Sequence, residues 1–306
     1  MSKRPAPFME RLTPMRAVQI DRHGGPEVLT VRDIPEPVPA EGEVLIAVTA
    51  SSLNPVDWKT RAWEVGPPLP ATLGWDLAGR IVAGEAPGHQ VGDEVIAMSA
   101  QIATGRGTWA ELVALPAHLL APAPTSLPLT EAAALPLAGT TALQALRAAE
   151  LGPGERLLIT GAVGGVGALA VQLARHTGAQ VDALVSRPEH LASAADLGAQ
   201  QTWHRTADLP TGHYRAILDT AGVDASNALA KGGRYISISD DPLPAVPGAR
   251  KSYVQENATD LTYLTKLIDA GDLRLRIAEH HPVTDIRTAH KHFEAGGLLG
   301  KVLITF

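Results

Sequence analysis

The chain has 306 residues, 45% of them hydrophobic, with a net charge of −6 and a pI near 6.0. That length corresponds to about two domains at roughly 150 residues each, and the acidic balance leaves no basic footprint for nucleic acid. The sequence contains no cysteine, which excludes disulfides, a thiol nucleophile and thiolate zinc sites and suits a reducing cytoplasm.

The opening segment, Met1 to Pro14, carries charges and three prolines but no apolar h-region, so it reads as a flexible tail rather than a signal peptide. No run of about 18 apolar residues offers a membrane span. From Met15 to about residue 130 the text is β-rich. Strands are expected at Arg16–Ile20, Leu29–Arg32, Glu43–Thr49, Leu77–Ala83, Glu94–Met98 and Trp109–Ala114, separated by Gly and Pro. Many short strands with such punctuation suggest a small barrel or sandwich.

Near Thr130 the character changes. Glu131–Pro136 and Thr140–Glu150 are alanine-rich and predict helices, with Thr130 and Thr140 as N-caps. Then comes Arg156-Leu-Leu-Ile-Thr-Gly-Ala-Val-Gly-Gly-Val-Gly167, a buried strand running into a glycine-rich turn. Beyond it, apolar residues at 166, 169, 170, 173 and 174 mark one face of a helix. Strand, glycine turn and helix N-terminus make a pyrophosphate site, because free N–H groups and the helix dipole both favour an anion there. Gly161, Ala162, Val163, Gly164, Gly165, Val166 and Gly167 are the residues of that turn, with alanine in the first place of the usual three-glycine pattern.

The alternation continues with a strand at Gln180–Ser186, a helix at Pro188–Leu197, strands at Arg215–Thr220 and Arg234–Ser239, and a helix at Asp260–Ala270. Strands alternating with helices of this length indicate βαβ units and a parallel sheet. From Arg276 the text turns strand-like again and ends in Lys301-Val-Leu-Ile-Thr-Phe306. Asp182 interrupts its strand's apolar pattern without an evident reason.

The end of the second strand should meet the adenosine ribose, where a carboxylate usually accepts the 2′-hydroxyl. Here Ser186 and Arg187 stand in that place, a hydroxyl beside a guanidinium. Both donate to an anion, which favours a 2′-phosphate and hence NADPH, with His190 as a possible third donor.

Several phrases then occur in order. They are Ser52-Leu-Asn-Pro-Val-Asp-Trp-Lys59, Leu73-Gly-Trp-Asp-Leu-Ala-Gly79, Val91-Gly-Asp-Glu-Val95 and Gly107-Thr-Trp-Ala-Glu111, followed by Leu137-Ala-Gly-Thr-Thr-Ala142, the glycine turn, Asp219-Thr-Ala-Gly222 and Gly300-Lys-Val-Leu303. Together they resemble the zinc-independent quinone oxidoreductases of the medium-chain dehydrogenase/reductase superfamily. The resemblance implies an α/β fold in which a doubly wound Rossmann parallel sheet is inserted into a GroES-like β-rich catalytic domain. The catalytic domain would comprise residues 15–130 and 271–306, and the NADP-binding domain residues 131–270.

The resemblance also implies site roles. Asn54 stands where zinc-dependent relatives carry a metal-binding cysteine, and no metal ligands are expected in the site. Thr141 would contact the nicotinamide end, Ala221 and Gly222 would line its path, and Lys301 would close the cofactor from the C-terminal return. Ser186 and Arg187 would hold the 2′-phosphate. A metal-free site must stabilise a developing oxyanion by hydrogen bonds, for which Asn54, Thr141 or a bound 2′-hydroxyl are available. Asp57 and Lys59 lie near the cleft by motif, although a turn-capping aspartate and a solvated lysine are the simpler readings. Trp58, Trp63 or Trp75 could stack on a flat substrate or pack in the core. His280, His281, His290 and His292 read as surface or helix-end residues rather than metal ligands, since neither a cysteine nor a ligand-spaced acidic partner on a clear helix face accompanies them.

The expected activity is NADPH-dependent reduction of a quinone or other conjugated carbonyl by a cytoplasmic homodimer that needs no nucleic-acid or membrane partner. Arg234–Ser239 is the candidate edge strand for dimer contact. An enoyl reductase acting on a thioester or polyketide-type intermediate, or a non-catalytic NADPH-binding sensor, are the alternatives.

Overall fold

The computed structural model describes residues 14–63, 66–84, 87–101 and 104–306; the expected tail therefore lies, except for Pro14, outside the described residues. Among them no helix is long and apolar enough to cross a membrane.

A seven-stranded sheet forms the first body, in the order Ile277–Pro282, Lys301–Thr305, Glu43–Ser52, Asp76–Ala83, Glu94–Met98 and Leu120–Pro122, with Leu112–Pro116 pairing alongside Glu43–Ser52. Strand Glu43–Ser52 organises it. Its residues alternate between partly exposed and buried up to Thr49 and are wholly buried from Ala50 to Ser52, where it enters the interior. A small sheet of Thr30–Pro35, Pro14–Ile20 and Ala71–Thr72 packs beside it. The C-terminal return is integral: Leu303 pairs antiparallel with Ser52, and Val302 accepts the Leu53 N–H at 2.9 Å. Lys301 is thereby brought next to Asn54.

The second body is a parallel sheet of six strands, in the order Thr202–Trp203, Gln180–Leu184, Arg156–Thr160, Tyr214–Asp219, Leu229–Ser237 and Ala249–Lys251. Strand order reverses beside Arg156–Thr160, and a crevice beyond the strand ends at such a switch point is the expected ligand site of an open α/β sheet. Helices Pro136–Ala149, Gly165–His176 and Ala258–Asp269 cover it. The alanine-rich face of helix Pro136–Ala149 lets it approach the sheet closely: Ala138, Ala142, Ala145 and Ala149 are all buried in one core with Leu157, Ile159 and Leu264.

Four expectations are corrected. Thr130 and Thr140 cap nothing: the helices start at Leu129 and Pro136, with Pro128 and Leu135 as caps. Two residues near the C-terminal end of Leu129–Ala132 turn instead of continuing, and a proline at the start of the next helix supplies its preset φ. The strand expected at Trp109–Ala114 runs over Leu112–Pro116, because Trp109 and Ala110 belong to the bonding of the small sheet. Strand Leu229–Ser237 is not the sheet's edge, since Ala249–Lys251 pairs outside it. His290 is wholly buried, against Trp109 and the Arg61 guanidinium, and burial drives its imidazole down to about 3.

Asp182 acquires a reason. Its carboxylate accepts the Tyr214 hydroxyl at 2.9 Å and the Gln201 N–H at 3.1 Å, so the buried acid ties three segments of the sheet together.

Candidate active site

Between the two bodies lies a cleft of about 730 Å³. The glycine turn forms its floor. Gly161 has φ +62°, a conformation that a side chain would strain. A Cβ at Gly167 would overlap the Gly161 carbonyl and come within 2.8 Å of the Ala162 Cα, so only glycine lets the helix sit this close to the strand. Helix Gly165–His176 begins at Gly164 with no side-chain cap, leaving its first N–H groups facing the cleft as an anion site.

Gly161, Val163, Gly164, Gly165, Val166 and Gly167 all line the cleft, as do Ser186, Ala221, Asn54 and Lys301. The expected residues Ala162, Gly222, Arg187, Thr141 and Asp57 do not. Ala162 is buried beneath the turn. At Gly222 an added Cβ would collide with the Asp241 carboxylate. The Arg187 guanidinium lies against Gly297, where an added Cβ would stand 2.5 Å from its central carbon. Thr141 is buried in helix Pro136–Ala149, and Ala138, one turn earlier, takes the lining position.

A buried polar cluster closes the inner end. Asn54 precedes helix Pro55–Ala62 as its N-cap and Asp57 reaches back to accept the Asn54 N–H at 2.8 Å, so Asp57 is a capping residue. Asp76, missed in the sequence, is the centre: it is wholly buried and accepts the Ser52 hydroxyl, the Asn54 amide at 2.7 Å and, across the domain boundary, the Leu137 N–H at 2.6 Å. Lys301 donates to the Leu53 carbonyl at 2.9 Å, to the Asn54 carbonyl oxygen, and towards Asp76 at 3.4 Å. A lysine only donates and a carboxylate only accepts, so these partners fix the Asn54 amide orientation. The consequence corrects an expectation: Asn54 Nδ2 is committed to Asp76 and Asn54 Oδ1 to Lys301.

Burial pushes the Lys301 ammonium below the ordinary lysine range, against the pull of Asp76 and Asp57. Burial drives Asp57 up to about 8; the Asn54 N–H opposes this and the Asp76 carboxylate adds to it. At neutral pH the cluster therefore holds a protonated Asp57 beside the Asp76–Lys301 pair. A Cβ at Gly165 would stand 2.8 Å from the Lys301 Cδ, which places the lysine stem directly on the glycine turn.

The cleft's outer wall holds Trp58 and Trp63, edge to face with ring centroids 5.5 Å apart. The Lys59 ammonium lies 5.8 and 5.7 Å from their centroids and pairs with Asp240 of the opposite body. Lys59 is thus not a free solvated lysine. Trp75 is a core residue, packed with Met98 and Leu137.

Two family models match the chain: an alcohol dehydrogenase GroES-like domain over residues 40–125 and a zinc-binding dehydrogenase domain over residues 193–304. A quinone oxidoreductase of Pongo abelii is 36% identical over 324 residues, spanning 95% of this chain and 97% of its own length. The chain belongs to the quinone oxidoreductase family of the medium-chain dehydrogenase/reductase superfamily. An NADPH-dependent alkenal/one oxidoreductase of Arabidopsis thaliana is 33% identical across 95% of this chain and 79% of its own length. A solved quinone oxidoreductase from Coxiella burnetii superposes with a TM-score of 0.85 at 29% identity, covering 96% of this chain and all of that one. This member of the family is an oxidoreductase with the family's two-body architecture.

Proposed function

We propose that the protein is an NADPH-dependent reductase of quinones and other small conjugated carbonyls, working without a metal. The observation that carries this reading is the junction of the glycine turn with Lys301, which sets a buried ammonium beside the dinucleotide floor. The names of the relatives, quinone oxidoreductase and alkenal/one oxidoreductase, point to the same substrates.

The cofactor supplies the hydride when bound. The first turn of helix Gly165–His176 binds the pyrophosphate, and Ser186 and His190 face the ribose end. His190 is 6% exposed, lines the cleft, and its Nδ1 has no partner among the described residues, as expected of a donor reserved for a ligand. Arg187 adds charge from beside Gly297. Trp58 and Trp63 offer a flat wall to a planar acceptor. Lys301, its N–H groups held by Leu53, Asn54 and Asp76, sets a positive charge beside the developing enolate or quinol oxyanion, whose proton comes from solvent. The metal-free reading rests on the absence of cysteine and on Lys301, whose ammonium already fills the seat between the Leu53, Asn54 and Asp76 oxygens.

The mouth separates this reading from an enoyl reductase that serves an acyl-carrier protein. Asp240 and Asp241 both line it and Lys59 is spent on Asp240, so the rim offers no free basic group to an acidic carrier. Turnover with quinones, enones and enoyl thioesters tests the proposal. NADPH oxidation is expected with the first two, and tight NADPH binding without turnover of any acceptor would leave only the sensor. Lys301→Met is expected to lower kcat by about 10²–10³. Arg187→Ala is expected to raise KM for NADPH and leave that for NADH unchanged; equal effects on both would remove the 2′-phosphate assignment. We also propose a cytoplasmic homodimer paired along the true sheet edge, Ala249–Lys251, which sedimentation of Arg250→Pro against wild type checks.

A further inference from the structure

Outside the cleft, one group of side chains has no part in the reaction above. Glu279 and His281 lie two residues apart on the edge strand Ile277–Pro282, so their side chains leave the same face. His292 reaches them from helix Ile286–Ala295. Glu279 Oε2 stands 2.7 Å from His281 Nε2 and 3.1 Å from His292 Nδ1. One ligand atom from each residue lies within 4.8 Å of the others. The sequence pattern hid this set because the acidic member comes from a strand and the second histidine from a helix.

We propose that Glu279, His281 and His292 bind one divalent transition-metal ion of the zinc class, with water completing the shell. Two imidazole nitrogens and one carboxylate oxygen suit zinc and its neighbours, and not calcium or magnesium, which take oxygen alone. The second shell supports the site. His281 Nδ1 faces the Asp285 carboxylate at 3.3 Å, and the His281 side chain is only 11% exposed, so the ring is held in place. A neutral imidazole has one N–H. In the metal-bound form that N–H goes to Asp285, which leaves the Nε2 lone pair for the ion beside the Glu279 carboxylate. A carboxylate on the far nitrogen is the usual means of orienting a metal-bound histidine. The His292 side chain is 52% exposed, which leaves an entry path.

The site fastens the edge strand to helix Ile286–Ala295, from whose end Phe293, Gly296, Gly297 and Leu298 continue into the cleft wall. None of Glu279, His281 and His292 lines the cleft, so the ion is structural and its test is independent of turnover.

The full chain, stripped with chelator and dialysed, is titrated calorimetrically with ZnCl₂ and followed with CoCl₂ by visible absorption. One equivalent of each is expected to bind wild type, and Zn²⁺ to raise its Tm. His292→Ala, an exposed position that leaves the fold alone, is expected to weaken Zn²⁺ at least about tenfold and to abolish the Tm shift, and Asp285→Asn to weaken it about tenfold. Chelated and zinc-loaded wild type are expected to oxidise NADPH at the same rate. No binding to wild type, which would leave an ion pair only, overturns the proposal, as does equal affinity in a His281→Ala/His292→Ala double variant.

Discussion

Replacing Asp76 with alanine is expected to lower the unfolding free energy by about 3–5 kcal/mol, the cost of stranding a buried charge. Natural domains are stable by only about 5–15 kcal/mol, so the variant should be barely folded at 37 °C. The expectation follows from what Asp76 satisfies. Without it the Lys301 ammonium, 6% exposed, loses its counter-charge, and the Leu137 N–H loses its acceptor. That N–H is among the first of helix Pro136–Ala149, where no helical carbonyl can take it. Asp76 thus ties a strand of the catalytic sheet to a helix of the nucleotide body. Lys301→Met removes the other half of the pair and should cost a comparable amount. The double variant Asp76→Ala/Lys301→Met removes both charges and is expected to be more stable than the sum of the single losses implies. Urea unfolding of the four proteins measures this. Single losses below about 1 kcal/mol, the scale of an ordinary hydrogen bond, would show that the pair is not held dry.

The nucleotide floor was legible in the sequence because its cause is local. Gly161, Gly164, Gly165 and Gly167 are neighbours, and the apolar stripe behind them reports the helix they open. The C-terminal return was legible through Lys301–Phe306, whose continuous apolar text suits a strand inside a sheet. The polar cluster was not, because its members lie at 54, 57, 76 and 301 and meet only through pairing of the last strand with Glu43–Ser52. One signal was available: Asp76 stands directly before the apolar Leu77-Ala-Gly79, as Asp182 stands between Val181 and Ala183, and an acid in a buried stretch of strand needs partners. Thr141 stands one turn from the cleft for a different reason. The phrase Leu137–Ala142 is helical, so residues three apart share a face, and Ala138 takes the cleft side while Thr141 sits one turn further in. Arg234–Ser239 reads as an edge in the sequence because Ala249–Lys251, three residues within proline-rich text, gives too short a strand signal. His290 reads as a surface residue in the sequence because a histidine's burial depends on what its helix packs against.

Asp57 carries the second large effect, and its sign runs opposite to that of an ordinary carboxylate. It is wholly buried, and its Oδ1 has no partner among the described residues. In the unfolded chain an aspartate releases its proton near 3.9; in the folded chain Asp57 keeps it up to about 8. Between these values the folded state binds one more proton than the unfolded state, so stability falls as pH rises, by up to about 1.4 kcal/mol per unit. The contribution is complete below about pH 4 and lost as pH climbs through about 8. His290, held down near 3, works the other way and loses its contribution as pH falls below the usual histidine value near 6.5. Above about pH 6.5 the His290 contribution is complete, and the difference between wild type and an Asp57→Asn variant isolates Asp57. Asp57→Asn keeps the acceptor for the Asn54 N–H and sets a neutral amide where the protonated oxygen stands. The unfolding free energy of wild type should decline relative to that of this variant from about pH 6.5 to about 8, so that the variant overtakes wild type towards pH 8 in urea titrations. Parallel curves for the two proteins would mean that Asp57 is ionised in the fold.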